Sequence, residues 1–210
     1  MLGRIEHNSA KEKITSNLQA TQIDRLKDGF KGEILLPKDD AYESARKIWN
    51  AMIDKHPAAV VRAAGTADVM RTVNIAREHR LVLAVRGGGH HIAGNAVCEG
   101  GLMLDLSPMK SVRIDPSSST ARVEPGVTLA ELDKEAQAFG LATPLGINST
   151  TGVAGLALGG GFGWLSRKLG LTADNLLSAD VVLAKGALVH ASAQENERVA
   201  EGMYQAGAGS

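Results

Sequence analysis

Two stretches of nearly bare backbone constrain this chain more than any other feature. Residues 81–94 read LVLAVRGGGHHIAG and residues 152–163 read GVAGLALGGGFG. In the first, the apolar run Leu81 to Val85 leads straight into Gly87, Gly88 and Gly89. A fully apolar five-residue run suits a strand buried on both faces. Glycines without Cβ atoms let successive N–H groups turn toward one anion. Arg86 stands beside them as a source of positive charge. The second stretch carries no charge over its twelve positions. It suits a wall against a flat, apolar ring and a close approach to a pyrophosphate. Either stretch alone fits a tightly packed glycine turn equally well. Together in one chain they favour a ligand carrying two phosphates.

Standard nucleotide loops fit badly. There is no G-x-x-x-x-G-K-[ST], and Gly87-Gly88-Gly89 runs into His90-His91-Ile92 instead of a third spaced glycine. Asp105 follows at a distance that suits a dinucleotide fold, but the intervening AGNAVCEGG is a poor helix, which leaves a nicotinamide-binding Rossmann protein as a minor alternative. Lys+Arg and Asp+Glu both number 23, for a formal net charge of zero, so nothing in the charge points to nucleic acid or an anionic membrane. The single cysteine, Cys98, excludes an internal disulfide framework and a multi-cysteine metal cluster. No apolar run approaches the ~20 residues of a membrane span, and MLGRIEHNSAKEKITSN is too polar for a secretory signal. The expectation is a cytoplasmic protein with no nucleic-acid or membrane partner.

Periodicity supplies the organisation. Residues 1–32 read as a polar N-terminal arm. Asp40 to Ile53 has helical spacing at Ala41, Ala45, Ile48 and Met52. Ala58 to Arg62 reads as a strand, and Thr66 as the N-cap of a helix ending near His79. With Leu81 to Val85 this makes a βαβ unit. Leu102 to Leu106 is a further strand. Ser111 to Ile114 and Ala121 to Glu124 are two short strands around DPSSST. Thr128-Leu129-Ala130-Glu131 is a capping box, opening a helix with Leu129, Leu132, Ala136 and Phe139 inward and Gly140 at its end. Ala179 to Ala184 and Ala187 to His190 are strands joined at Lys185-Gly186. The boundary between two lobes falls near Pro108 to Val112, giving lobes of about 33–109 and 110–196. Each glycine cluster belongs to a different lobe, which places a shared ligand between them.

At this point several motifs match together. VRGGGHHIAG, GGLMLDLSPMKSVRID, ARVEPGVTLAELD and GINSTTGVAGLALGGGFGWLSRKLGLTADNLLSADVVLA, colinear over about residues 55–195, resemble the FAD-linked oxidases. This is the FAD-binding domain shared with vanillyl-alcohol oxidase and p-cresol methylhydroxylase (PCMH), and it is most similar to the berberine-bridge-enzyme-like branch. The resemblance implies an α+β fold: a two-lobed PCMH-type domain with FAD between the lobes. It implies that Arg86, Gly87, Gly88, Gly89, His90, His91 and Gly94 meet the cofactor, with His90 bonded covalently to the flavin methyl group. It further implies Asn148, Ser149, Thr150, Gly152, Val153, Gly155, Leu156, Gly160 and Gly161 along FAD. Asp174 and Asn175 would close the site, with Val182 near the adenine. A branch with two flavin links has a cysteine where this chain has Asn148, so a second link is not expected, and Cys98 reads as a buried small residue.

Family enzymes add a substrate-binding domain. This chain follows their pattern to about Glu195-Asn196 and then diverges through residues 197–210, so the expectation is the FAD-binding portion without its substrate domain, and no catalytic base is assigned. The implied activity is oxidation of a hydroxyl-bearing small molecule by hydride transfer to flavin, with oxygen as acceptor. Two alternatives stand beside it: a truncated fragment that holds FAD without turnover, and another PCMH-type flavoenzyme such as a hydroxy-acid dehydrogenase.

Overall fold

A computed structural model describes residues 20–208; the first part of the expected N-terminal arm and the last two residues of the C-terminal tail lie outside it. The chain opens with α1 (Ala20–Lys27), β1 (Glu33–Leu35), α2 (Tyr42–Ala45), β2 (Ala59–Arg62), α3 (Thr66–Glu78), β3 (Leu83–Arg86) and β4 (Leu102–Asp105). These strands form one sheet in the order β1-β2-β4-β3, with β1 antiparallel to β2 and the other three parallel. Strand alternation divides the core into two layers. Ala59, Val61, Leu102 and Leu104 point to one face, where Leu26 of α1 and Ile75 and Ala76 of α3 cover them. Val60 and Met103 point to the other, against Leu35, Tyr42 and Val97. Leu26 is fully buried, so the described end of the predicted arm is packed onto the sheet.

The chain continues with β5 (Val112–Asp115), β6 (Thr120–Val123), α4 (Leu129–Gln137), α5 (Val153–Leu158), α6 (Ser166–Leu169), a 3₁₀ turn (Ala173–Asn175), β7 (Ser178–Val182), β8 (Leu188–Ser192) and α7 (Glu197–Ala208). β5–β6 and β7–β8 are two antiparallel ribbons. Val127, Leu129, Leu132 and Leu145 form a third cluster with Val112, Ile114, Val123, Val153 and Leu156. The capping box at α4 is present, with Thr128 and Glu131 satisfying each other's ends. Gly140, at φ +68°, ends that helix with Leu141 N–H donating to Ala136 O, a Schellman closure.

Four sequence expectations change. The helix predicted over Asp40–Ile53 stops after Ala45. The Arg86 guanidinium takes Ala45 O at 2.7 Å and Lys47 O at 3.0 Å, acceptors that another helical turn would need, and Trp49 N–H donates to Gly89 O instead. The strand expected to be buried on both faces is the sheet edge, because β4 inserts between β2 and β3; Val85 is 51% exposed. Thr66 does not cap α3. Gly65 holds the cap position, and the Asp68 carboxylate gathers the N–H groups of Lys31, Gly32 and Ala64. Phe139 lies past the last turn of α4 and is half-exposed instead of inward.

Arg62, Asp105 and Arg86 stand side by side in register at the ends of β2, β4 and β3. Asp105 is fully buried. Arg86 meets it in a fork, Nε to Oδ1 at 3.0 Å and an Nη to Oδ2 at 2.5 Å, and Ser107 adds its N–H and hydroxyl. Burial pushes the Asp105 carboxyl up, but the Arg86 hydrogen bonds and charge, with the Ser107 donors, outweigh it and hold it below the usual carboxylate range. We predict that Asp105→Ala, which leaves a largely buried guanidinium unpaired, lowers the unfolding free energy in urea by about 3–5 kcal/mol. Because the folded carboxyl lies below its unfolded value of about 3.9, this contribution is full above that pH. It is lost as acidification passes the folded value, so the variant's stability falls less with acid than that of the parent chain.

Candidate functional site

β3 ends by feeding its chain directly into Gly87-Gly88-Gly89, and here the two glycine-rich stretches meet. A Cβ placed on Gly88 would lie 2.2 Å from Gly152 N, and one on Gly152 would lie 2.4 Å from Gly88 N. No side chain fits at either position. Gly152 is brought there by a short ladder: Leu129 N–H donates to Thr151 O, Ala130 N–H to Ser149 O, and Val153 N–H to Val127 O. The segment before α5 is thereby stitched to the start of α4. Gly87 is crowded as well, with Pro125 O 2.9 Å from a hypothetical Cβ.

A cleft of about 170 Å³ opens at this contact, lined by Gly87, Gly88, Gly89, Arg86, Lys47, Ile48, Trp49, Ser107, Lys110, Gly126 and Thr128. Among the described residues, the N–H groups of Gly87, Gly88 and Gly89 donate to no protein acceptor. Free, adjacent backbone donors beside Lys47 and Lys110 make an anion cradle. The volume is below the ~300–1,000 Å³ of a site for a whole small ligand, so it suits one part of an extended molecule, such as a diphosphate. Lys110 also holds Glu131 at 2.5 Å. That hydrogen bond, against a smaller opposing effect of burial, lowers the Glu131 carboxyl with help from Thr128.

At the mouth of the cleft His90 stacks on Trp49, ring centroids 5.3 Å apart and planes 22° apart. Its Nε2 is 2.9 Å from Thr150 Oγ1. Burial pushes its pKa down from the ordinary histidine value, so the ring is neutral at pH 7. Thr150 Oγ1 in turn lies 2.8 Å from Asn148 Oδ1.

The other predicted site residues are spread over several roles. Arg86 has four of its five N–H groups engaged by Asp105, Ala45 O and Lys47 O; it braces the glycine turn and has little left for a ligand. His91 is exposed and turned to Asn95. Gly94, at φ +73°, packs against Ile53. Ser149 contributes its carbonyl to the ladder. Val153 and Leu156 sit in the third core cluster, while Gly155 is exposed. Gly160 and Gly161 form a left-handed turn tied to Ala173 and Thr172. Asp174 accepts from Leu171 N–H, and Asn175 donates to Leu169 O and Leu171 O, so both close the loop after α6. Val182 ends β7 opposite Leu188 and does not line the cleft. Lys47, Trp49, Ser107 and Lys110 line the cleft without having been anticipated. The helix expected over 40–53 hid the first two, and isolated lysines and serines carry no spacing signal.

The profile of a protein family described as an FAD binding domain matches residues 57–192. The chain belongs to this family of FAD-linked oxidoreductases. (R)-6-hydroxynicotine oxidase of Paenarthrobacter nicotinovorans is 39% identical over 166 residues, which is 79% of this chain and 36% of that protein. The solved structure of 6-hydroxy-D-nicotine oxidase from Arthrobacter nicotinovorans superposes with a TM-score of 0.83 at 37% identity, over 85% of this chain and 39% of that one. A carbohydrate oxidase from Microdochium nivale superposes with a TM-score of 0.82 at 30% identity, over 89% of this chain and 40% of that one. The chain thus spans about two fifths of the length of these relatives. Its fold is the α+β PCMH-type FAD-binding domain and its cofactor is FAD. The residues present fit that group: a glycine contact that any Cβ would fill, free N–H donors beside two lysines, and a neutral histidine against an aromatic ring. We predict that Gly88→Ala separates the two glycine stretches, lowers stability by about 1–3 kcal/mol, and cuts flavin retention on purification about tenfold or more. Gly202→Ala, exposed in α7 with nothing within 4 Å of the added Cβ, leaves retention unchanged.

Proposed function

We propose that this chain is the FAD-binding portion of an oxidase acting on a hydroxyl-bearing small molecule. The observation that carries the reading is the Gly88–Gly152 contact with the free N–H groups of Gly87–Gly89 around it. In this reading those N–H groups, with Lys47 and Lys110, hold the cofactor's diphosphate, and Arg86 keeps the turn that presents them. The flavin supplies hydride acceptance from the carbon bearing the substrate hydroxyl, with dioxygen taking the electrons onward. Trp49 and His90 together form an apolar, stacked wall at the cleft mouth. Asn148, Thr150, Gly152 and the Gly160–Gly161 turn belong to the same proposed cofactor path, with Asp174 and Asn175 shaping its far loop. The two lobes are taken to divide near residue 110, with the cofactor between them.

His90 is the proposed point of covalent attachment. A neutral imidazole has a lone pair to form the bond, and burial keeps His90 neutral. The link replaces one C–H of the ring methyl group and the imidazole N–H by one C–N bond. The two hydrogens and the electron pair leave to dioxygen as hydrogen peroxide, so the attachment needs no other oxidant.

The hydroxynicotine and carbohydrate oxidases among the relatives support a small-molecule partner, and the zero net charge gives no support to nucleic acid or an anionic membrane surface. Among the described residues no helix is long and apolar enough to cross a membrane; a cytoplasmic location is part of the proposal, resting on the single, buried Cys98. A second reading, in which the chain holds FAD without turnover, has one observation in its favour. Tyr42 packs in the second core layer with its hydroxyl donating to Pro57 O and takes no part in lining the cleft.

The purified chain is expected to show a flavin spectrum whose colour stays with the acid-precipitated protein. In His90→Ala the colour moves to the supernatant while the native protein still binds FAD. Hydrogen peroxide release with a panel of alcohols and sugars supports the oxidase. Bound flavin with no peroxide selects the second reading, and turnover only with an artificial electron acceptor selects a dehydrogenase of the same fold. A folded chain that stays colourless and refuses added FAD overturns the proposal.

A further inference from the structure

The two lysines of the cleft are not equivalent. Lys47 forms no salt bridge among the described residues, whereas Lys110 Nζ rests on Glu131 Oε1 at 2.5 Å. Arg86 is already matched by Asp105. An arriving anion therefore meets one lysine with no carboxylate in contact and one that is neutralised. Glu131 does not line the cleft, but it stands directly behind the wall. Its other oxygen, Oε2, accepts the N–H and the hydroxyl of Thr128, both at 2.8 Å, and Thr128 is a lining residue. The Lys110 hydrogen bond holds the Glu131 carboxyl below the usual carboxylate range, against a smaller effect of burial, so at neutral pH it carries a full negative charge. A carboxylate of the protein thus occupies a cation and two further donors at the rim of a cradle whose remaining N–H groups are free.

Resting on the reading of this cleft as a diphosphate site, we propose that Glu131 sets its affinity: it holds Lys110 as an internal counter-anion, and a bound diphosphate takes Lys110 over from it. The pair parts easily. Lys110 is 46% exposed and Glu131 38%, and ion pairs this open to water are held weakly. The lysine ammonium is a point charge on a flexible four-carbon stem, so it swings toward the cleft without any movement of the backbone. Glu131 is not left bare when Lys110 leaves, because Oε2 keeps both Thr128 bonds and water reaches the carboxylate. A diphosphate carries more negative charge than one carboxylate, so it is the stronger partner for the ammonium. The glycine turn and Lys47 form the standing cradle, and Lys110 joins it only as Glu131 lets go. Glu131 therefore caps α4 and opposes anion binding with the same carboxylate.

A double-mutant cycle tests the exchange. Glu131→Gln removes the charge and keeps the cap, since glutamine serves in a capping box as glutamate does. Lys110→Gln removes the cation. ADP and inorganic pyrophosphate are titrated by calorimetry at low salt into the flavin-free parent chain, the two single variants and the double variant, with thermal melts showing that all four are folded. Glu131→Gln is expected to bind both probes about three- to tenfold tighter than the parent chain. In the Lys110→Gln chain the same change gains about twofold or less, because it then relieves only the repulsion between carboxylate and diphosphate. The excess, about two- to fivefold, measures the parting of Lys110 from Glu131. A purely structural role for Glu131, exerted through the cap, would instead make Glu131→Gln bind more weakly. Equal gains with and without Lys110 mean that the pair stays together in the complex and overturn the inference, as does a Glu131→Gln chain that binds no tighter than the parent. If none of the four chains binds either probe, the diphosphate reading itself falls, and the two failures are thereby told apart.

Discussion

The structure depends on two backbones touching where no side chain is tolerated. Gly88 and Gly152 come from segments far apart in the sequence, and the space a Cβ would fill at each is occupied by the other's main chain. Such an approach has no intrinsic attraction; glycine in an ordered turn gives up more conformational freedom than any other residue. It must be enforced from outside. On one side, the ladder linking residues 127–130 to residues 149–153 brings Gly152 forward. On the other, the buried Arg86–Asp105 fork and the two carbonyls that Arg86 holds fix the turn carrying Gly88. The cleft, with its unpaired N–H groups, exists because both enforcements act at once.

This arrangement explains why the most obvious cation of the motif does not face the cleft as a free charge. A guanidinium buried against a carboxylate is pre-organised by its planar fork and is costly to disturb. Its charge is neutralised by Asp105, with Arg62 3.4 Å away on the other side of the same carboxylate. Arg86 thus acts as a rigid bracket spanning β3, β4 and the segment after α2. Attraction for an anion falls to oriented backbone dipoles and to Lys47 at the rim, with Lys110 beside them held against Glu131. Backbone donors held by a stiff frame need no reorganisation when a ligand arrives, whereas a mobile arginine would have to be ordered.

Much of the fold was legible where local chemistry and tertiary demand agree. The capping box at Thr128–Glu131, the glycine stop at Gly140, the turn at Gly186 and the short antiparallel ribbons are local devices, and each forms where its residues stand. Legibility failed where a distant group intervened. Nothing in DAYESARKIWNAMI announces that Arg86 will take its carbonyls, so a helical pattern over Asp40–Ile53 yields α2 alone. LVLAV is apolar enough for a central strand, but strand order is a long-range property, and β4 takes the central place. In the site the same division holds. The glycine stretches are visible as bare backbone, whereas the role expected of His90 came from the family resemblance and not from its spacing. Trp49, Lys47 and Lys110 are single residues whose meaning appears only after folding.

The neutral state of His90 and its orientation have separate causes. Burial disfavours the charged imidazolium but does not orient the ring. Direction comes from a backbone amide: Thr150 N–H orients Asn148, Asn148 orients the Thr150 hydroxyl, and the hydroxyl orients the ring. Each step transfers the certainty of main-chain geometry to a group that would otherwise rotate freely. The stitching that draws Gly152 to Gly88 also fixes residues 148–151, so one piece of backbone order shapes the cleft and places the Thr150 hydroxyl against the histidine beside it.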